Sequence, residues 1–298
     1  MSSFSFDFFA PQEKKNTTLT TTPCQRQDGP PHQWVTDLEQ LLTNRVQQAM
    51  VYSELVLPEQ SLPLRCIDTK ADTLSSTNPV WETTDLMPKV YEGGMKVWEC
   101  SVDLLHFLAK EQPKYSSVLE IGCGHALPAC YLLRVALQQK QEPFHLYLTD
   151  FNDFVIQQAT IPNVILNAAS TMEQPDNPSA IVTAVLNHVQ FGHGDWLSLQ
   201  LPSQVDLVLA AETLYSEQAA EETALLLSRH LNDTGSALVA TKRFYFGVGG
   251  GTDAFLAASE KYNLLVEVVQ SFDTGAGNIR EILRVRKKAV YTRRTVVC

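Results

Sequence analysis

No apolar run in the chain approaches the roughly 18 to 20 residues needed to cross a bilayer, so no membrane association is expected. The N-terminus has no charged region followed by an apolar one, so no secretory signal is expected. The six cysteines (Cys24, Cys66, Cys100, Cys123, Cys130 and Cys298) form no C-x-x-C pair and no His/Cys group at zinc spacing. The expectation is no metal site, and free thiols acting as small buried hydrophobes in a reducing compartment. Basic residues are scarce: 23 Lys plus Arg against 33 Asp plus Glu, a formal charge of −10. A chain this acidic does not grip nucleic acid over its whole surface, and a basic partner suits it better. Glycine and proline, 14 and 15 residues, are too few for a collagen-like chain. No internal repeat is visible. What remains is a globular protein of one or two domains, 44% hydrophobic over 298 residues.

Residues 1–31 are rich in Ser, Thr and Pro and read as a disordered tail. From Val35 to about Leu57, Leu38, Leu41, Leu42, Val46 and Ala49 recur at helical spacing. Thr36 would cap that helix, with Glu39 three residues on. Residues 59–92 hold several prolines and read as a loop-rich cover with one or two short strands. Beyond 93, strand and helix patterns alternate. Strands are expected at 117–121, 144–150, 163–166, 190–192, 205–211 and 236–241. Helices are expected at 97–109, 127–138, 154–159, 219–231 and 253–262. The alternation predicts βαβ crossovers, a mostly parallel sheet and helices on both faces. The last two strands, 264–272 and 279–286, have only a Gly-rich connector and should form an antiparallel hairpin. Such a sheet binds ligands beyond the C-terminal ends of its strands, where the strand order reverses.

The strongest local signal is VLEIGCGHALP, residues 118–128, in which a strand runs into Gly122-x-Gly124 and then a helix. Glycine lets the backbone approach a ligand closely, and the helix start presents free N–H groups. A pyrophosphate-binding turn would read G-x-G-x-x-G, but Leu127 occupies the sixth position. Glu120, two residues before the first glycine, would repel a pyrophosphate and attract an ammonium. It therefore favours S-adenosylmethionine over a nicotinamide cofactor. Asp150 ends the next strand, where a carboxylate can accept ribose hydroxyls; Asn152 is equally placed to cap the following helix. Gly194-Asp195-Trp196 sets an acid beside an aromatic, suited to an adenine edge and face. The fourth long strand ends in Glu212-x-x-Tyr215, a polar pair at the ligand edge.

Together these elements resemble a seven-β-strand, S-adenosylmethionine-dependent methyltransferase over residues 90–288. More narrowly, VYEGGMKVWECSVDLL (90–105), LEIGCGHALP, TDFN, GDW, AETLY and FYFGVGGG (244–251) resemble the histidine protein methyltransferases. The resemblance implies a Rossmann-like seven-stranded α/β domain over 93–288, preceded by a helical and loop cover (32–92) and followed by a basic tail (289–298). It implies that Lys96, Val97, Trp98 and Glu99 line the cofactor and that Glu120, Gly122 and Gly124 meet its methionine part. Asp150, Phe151 and Asn152 would hold the ribose, Gly194, Asp195 and Trp196 the adenine, and Ala211 would lie under the methionine part. Ala126 stands where a third glycine is common, and is slightly strained if its φ is positive.

The resemblance further implies methyl transfer to a histidine ring nitrogen of a large-subunit ribosomal protein, in the cytoplasm and nucleus. Glu212 is the candidate acceptor for the other ring N–H, and Tyr215 shapes the pocket. Two rivals are kept: a protein-lysine methyltransferase of the related group, and a non-catalytic cofactor-binding assembly factor. The C-terminal end carries Arg284, Arg286, Lys287, Lys288, Arg293 and Arg294 with no acidic residue. It is read either as a solvated edge or as a contact to ribosomal RNA.

Overall fold

The computed structural model describes residues 29–58, 63–71, 91–273, 275 and 278–289. The expected tail up to residue 28 and the basic Arg293 and Arg294 lie outside the described residues. One mixed sheet dominates. Its strands are β1 (Gln33–Trp34), β4 (Ser117–Ile121), β5 (His145–Asp150), β6 (Val189–His193), β7 (Val205–Ala211), β8 (Leu231–Lys242), β9 (Leu264–Phe272) and β10 (Arg280–Lys287). The order is β1-β6-β5-β4-β7-β8-β10-β9. β4 through β8 run parallel, and β10 lies antiparallel between β8 and β9. The chain steps outward from β4 through β5 to β6, then returns to place β7 on the other side of β4. That reversal puts the ends of β4 and β7 side by side.

Period-two alternation divides the sheet residues between two cores. Val118, Leu207, Leu209, Leu238 and Ala240 pack with helices Glu99–Glu111, Leu127–Gln139, Ile161–Ala169 and Pro178–His188. Leu119, Ile121, Val208, Ala210 and Val239 pack with helices Glu217–His230 and Thr252–Lys261. Both faces are covered, as the alternation of patterns predicts.

Three expectations are corrected. The first helix spans only Leu38–Val46, with Asp37 rather than Thr36 at its cap and no side-chain capping bond. Val35 N–H is still given to Phe191 O at 2.8 Å, so the chain remains extended against β6 to that point. Beyond it, Tyr52–Leu55 (β2) pairs antiparallel with Leu64–Ile67 (β3) instead of continuing the helix. Secondly, 163–166 is helix, not strand. Ile161–Ala169 is buried on every side, and its short apolar run with Val164 and Ile165 reads equally as a buried strand. Asn163 and Asn167, one turn apart, bond the β3 backbone: Ile67 N–H donates to Asn163 Oδ1 and Arg65 N–H to Asn167 Oδ1. Thirdly, the insert near 172–180 opens a helix, Pro178–His188, capped by Asn177 Oδ1 accepting from Ala180 N–H.

Residues 29–31, placed in the tail by composition, are docked on the sheet edge. Asp195 N–H donates to Pro30 O at 2.8 Å, ahead of the β1–β6 pairing.

Candidate active site

The reversal point holds a cleft of about 1280 Å³, its open mouth included. Its floor is the turn after β4. Gly122 (φ +56°), Gly124 (φ +49°) and Ala126 (φ +50°) are all left-handed, so the strain expected at Ala126 is present. A methyl group on Gly122 would fill the space before Thr213 Cγ2, at 3.3 Å, and Trp196, at 3.6 Å. One on Gly124 would lie 2.9 Å from Gly94 O. Gly94 itself has no room: its Cβ would sit 2.6 Å from Val155 Cγ1 and 3.0 Å from Asp150 Oδ2. Residues 91–98 therefore form a strap pressed onto the turn, and small residues at 94 and 124 permit that approach.

Two buried acids shape the turn. Asp150 Oδ2 accepts from Gly124 N–H at 3.0 Å and Oδ1 from Asn152 N–H at 3.1 Å. Burial pushes its pKa up to about 6, against the lowering by those two N–H groups. Glu120 Oε2 accepts from Ala129 N–H at 3.1 Å, at the start of helix Leu127–Gln139. Burial raises Glu120 to about 8. With both carboxylates lining the cleft, a cationic group entering beside Glu120 would find a carboxyl ready to ionise against it.

His125 ties the turn to its cover. Its Nε2 lies 3.1 Å from Met95 O, an acceptor, so the proton sits on Nε2 and Nδ1 accepts from Asn163 Nδ2 at 3.2 Å. Thr160 Oγ1 donates to Gly124 O at 2.6 Å from a π-helical turn, Ile156–Thr160. Asp195 caps the short helix Trp196–Ser198, with Oδ1 accepting from Leu197 N–H at 2.9 Å.

The far wall carries Glu212, a non-glycine residue at φ +59° directly after β7. A left-handed glutamate is costly and persists only where its surroundings fix it. Its Oε2 accepts from the Tyr245 hydroxyl, and Oε1 lies 3.3 Å from Lys242 Nζ. Lys242 and Lys96 both stand over the Trp98 ring, at 5.3 and 4.6 Å from its centre. Trp98 Nε1–H donates to Gly93 O at 2.9 Å, which folds the strap back over the cleft. Tyr215 donates to Glu92 Oε2 at 2.7 Å. Burial, then the Glu92 charge, push the Tyr215 phenol above its ordinary range.

Of the residues singled out in sequence, Lys96, Val97, Trp98, Glu120, Gly122, Gly124, Asp150, Phe151, Gly194, Asp195, Trp196, Ala211, Glu212 and Tyr215 all line this cleft. Two do not. The Glu99 side chain is 70% exposed and pairs with Arg280 at 3.5 Å. Asn152 holds the strap from behind, its Oδ1 accepting from Glu92 N–H. Glu92, His125, Lys242 and Tyr245 also line the cleft and were not singled out. Lys242 was findable, because the strand beside β7 must end at the same edge. Among the described residues, no His/Cys/Asp/Glu group could hold a metal ion, and no helix is long and apolar enough to cross a membrane.

The sequence model of the family described as lysine methyltransferase matches residues 88–247. Curated relatives include a histidine protein methyltransferase 1 homolog of Dictyostelium discoideum, 35% identical over 213 residues (70% of this chain, 62% of that one). The histidine protein methyltransferase 1 of Schizosaccharomyces pombe is 33% identical over 204 residues, 59% of each chain. That of Saccharomyces cerevisiae is 29% identical over 311 residues, 83% of this chain and 82% of that one. The chain spans 62% of the Dictyostelium relative and 52% of a Bos taurus homolog.

Proposed function

The chain belongs to the lysine methyltransferase family, among S-adenosylmethionine-dependent enzymes, and on that premise we propose that it methylates a ring nitrogen of a protein histidine. The cleft fits the cofactor on its own evidence: the space before Gly122 that a single methyl would fill, and the buried Glu120 and Asp150 beside it. Glu120, Gly122 and Gly124 would hold the methionine part, Asp150 and Phe151 the ribose, and Asp195 and Trp196 the adenine. When bound, S-adenosylmethionine supplies a methyl group on a sulfonium centre.

The protein's own task is to present a neutral imidazole. That ring is already nucleophilic near neutral pH, since its ordinary pKa is about 6.5. Its second N–H needs an acceptor that fixes the tautomer and meets the charge developing on the ring. The single observation that carries this reading is Glu212, held by the Tyr245 hydroxyl and the Lys242 ammonium at the end of β7. A carboxylate offers about four lone-pair sites, so these two groups and the Cys100 thiol, which also bonds Glu212, leave room for an imidazole N–H. A lysine target is served less well. Glu212 and Glu92 in the same cleft favour the charged ammonium, which must lose its proton before it can attack. The relatives' names point to the same residue type.

As to the wider substrate, the acidic chain and the family resemblance support a basic, large-subunit ribosomal protein, met in the cytoplasm or nucleus. The exposed Arg286 and Lys288 would touch ribosomal RNA where the target is already assembled, whereas Arg284 stacks over Phe107 and Lys287 pairs with Asp233. A Glu212→Gln variant tests the reading, assayed with labelled cofactor and protein extract from cells lacking the enzyme. It should bind cofactor within about threefold of wild type and lose about a hundredfold in transfer rate. Undiminished transfer would reject Glu212 as the acceptor.

A further inference from the structure

The segment between β8 and helix Thr252–Lys261 reads FYFGVGGG. Ten large hydrophobic residues are exposed among the described residues, and three fall here: Phe244 (47%), Phe246 (88%) and Val248 (55%). Such a concentration on one short loop marks a contact surface rather than chance exposure.

The loop is firmly based. A Cβ on Gly250 would lie 2.2 Å from Leu214 O, and one on Gly251 would lie 2.2 Å from Arg243 O. The glycines thus let the returning chain lie directly on residues 214–216. Gly251 N–H donates to Leu214 O at 2.8 Å, and bridges join Ser216 to Gly249 and Phe244 to Gly251. Tyr245 reaches inward to Glu212. The tip is the opposite: Gly247 (φ +85°) has nothing within 4 Å of where a Cβ would stand. An apolar tip therefore projects from an anchored base. Tyr245 and Val248 line the cleft, so the tip stands at its mouth.

We propose that residues 244–248 form a preformed knob that holds the polypeptide substrate by an apolar side chain flanking the methylated residue. This rests on the reading above that the substrate is a protein. A small molecule in the cleft would leave Phe246 uncovered, whereas a polypeptide crossing the mouth covers it. Because the base is fixed before binding, little ordering cost opposes the contact.

The test is Phe246→Ser, with Phe246→Leu as the conservative variant. Both are assayed by labelled methyl transfer into increasing concentrations of protein extract from cells lacking the enzyme. Calorimetry supplies the cofactor affinity of each. Phe246→Ser should raise the half-saturating protein concentration about tenfold, with maximal rate and cofactor affinity near wild type, and Phe246→Leu should stay within about threefold. Wild-type labelling of protein with an unchanged half-saturating concentration in Phe246→Ser would overturn the knob alone. Wild-type labelling confined to small molecules would overturn both the knob and the protein substrate.

Discussion

Tyr215 donates its hydroxyl to Glu92 at 2.7 Å, joining two segments separated by 123 positions in the chain. Glu92 belongs to the strap over the turn, and Tyr215 follows β7 on the opposite wall. The bond therefore closes the cleft across its width. Hydrogen bonds to a charged group contribute about 1.5–3 kcal/mol, with the lower end expected at this half-buried site. Tyr215→Phe should speed cofactor dissociation about tenfold, followed by stopped-flow fluorescence of Trp98 and Trp196. An unchanged dissociation rate would show that the strap is held without this bond.

The two glycines of the turn should separate binding from folding. Alanine at either costs about 1–2 kcal/mol in the left-handed backbone region. At Gly122 the added methyl faces the cleft, so Gly122→Ala should fold, melt a few degrees lower and lose at least tenfold in cofactor affinity. At Gly124 the methyl meets Gly94 O at 2.9 Å, so Gly124→Ala should lose clearly more thermal stability than Gly122→Ala. Melting curves with calorimetry decide it, and equal losses of stability would contradict the packing argument.

The legible parts of this site were those written in local pattern. β4, β7 and β9 run between the residues expected: β4 and β7 are short buried strands flanked by turns, and β9, a partly exposed edge strand, is bounded by Asn263 and the Gly-rich connector. The acids at the C-terminal ends of the strands, Glu120 near the end of β4, Asp150 at the end of β5 and Glu212 directly after β7, follow from the strand-end rule. Helix Ile161–Ala169 was misread because its short apolar run, with Val164 and Ile165, reads equally as a buried strand; the signal for a helix is the one-turn spacing of Asn163 and Asn167, which bond the β3 backbone. Tyr245 was missed because its significance is purely tertiary, and Lys242, though the strand-end rule reaches its position, because its partner is named only by the fold. They reach Glu212 only once β8 lies beside β7. His125 likewise gains its role from Met95 and Asn163, which no spacing rule connects to it.

Cofactor binding should release a proton from Glu120. Held at about 8 by burial, Glu120 is mostly protonated at pH 7.5, while Asp150, near 6, is mostly ionised. An ammonium placed beside Glu120 lowers its pKa and expels the proton. Calorimetry at pH 7.5 in buffers of different ionisation enthalpy should show that release, and Glu120→Gln should abolish it. The same raised pKa makes the ligand-free fold favour protonation. Its contribution to stability is complete below about pH 4.5 and is lost as pH rises through about 8. Melting temperature of the ligand-free protein should fall across that window, less so in Glu120→Gln. Buffer-independent binding enthalpy would place the ammonium elsewhere.

The identity of the methylated amino acid decides between an imidazole and an ammonium as the group this cleft serves. Protein from cells lacking the enzyme is incubated with the full chain and methyl-labelled S-adenosylmethionine, hydrolysed in acid, and its amino acids separated. The label should be recovered in methylhistidine, and the Glu212→Gln protein should yield almost none. Label recovered in methyllysine would contradict the histidine reading.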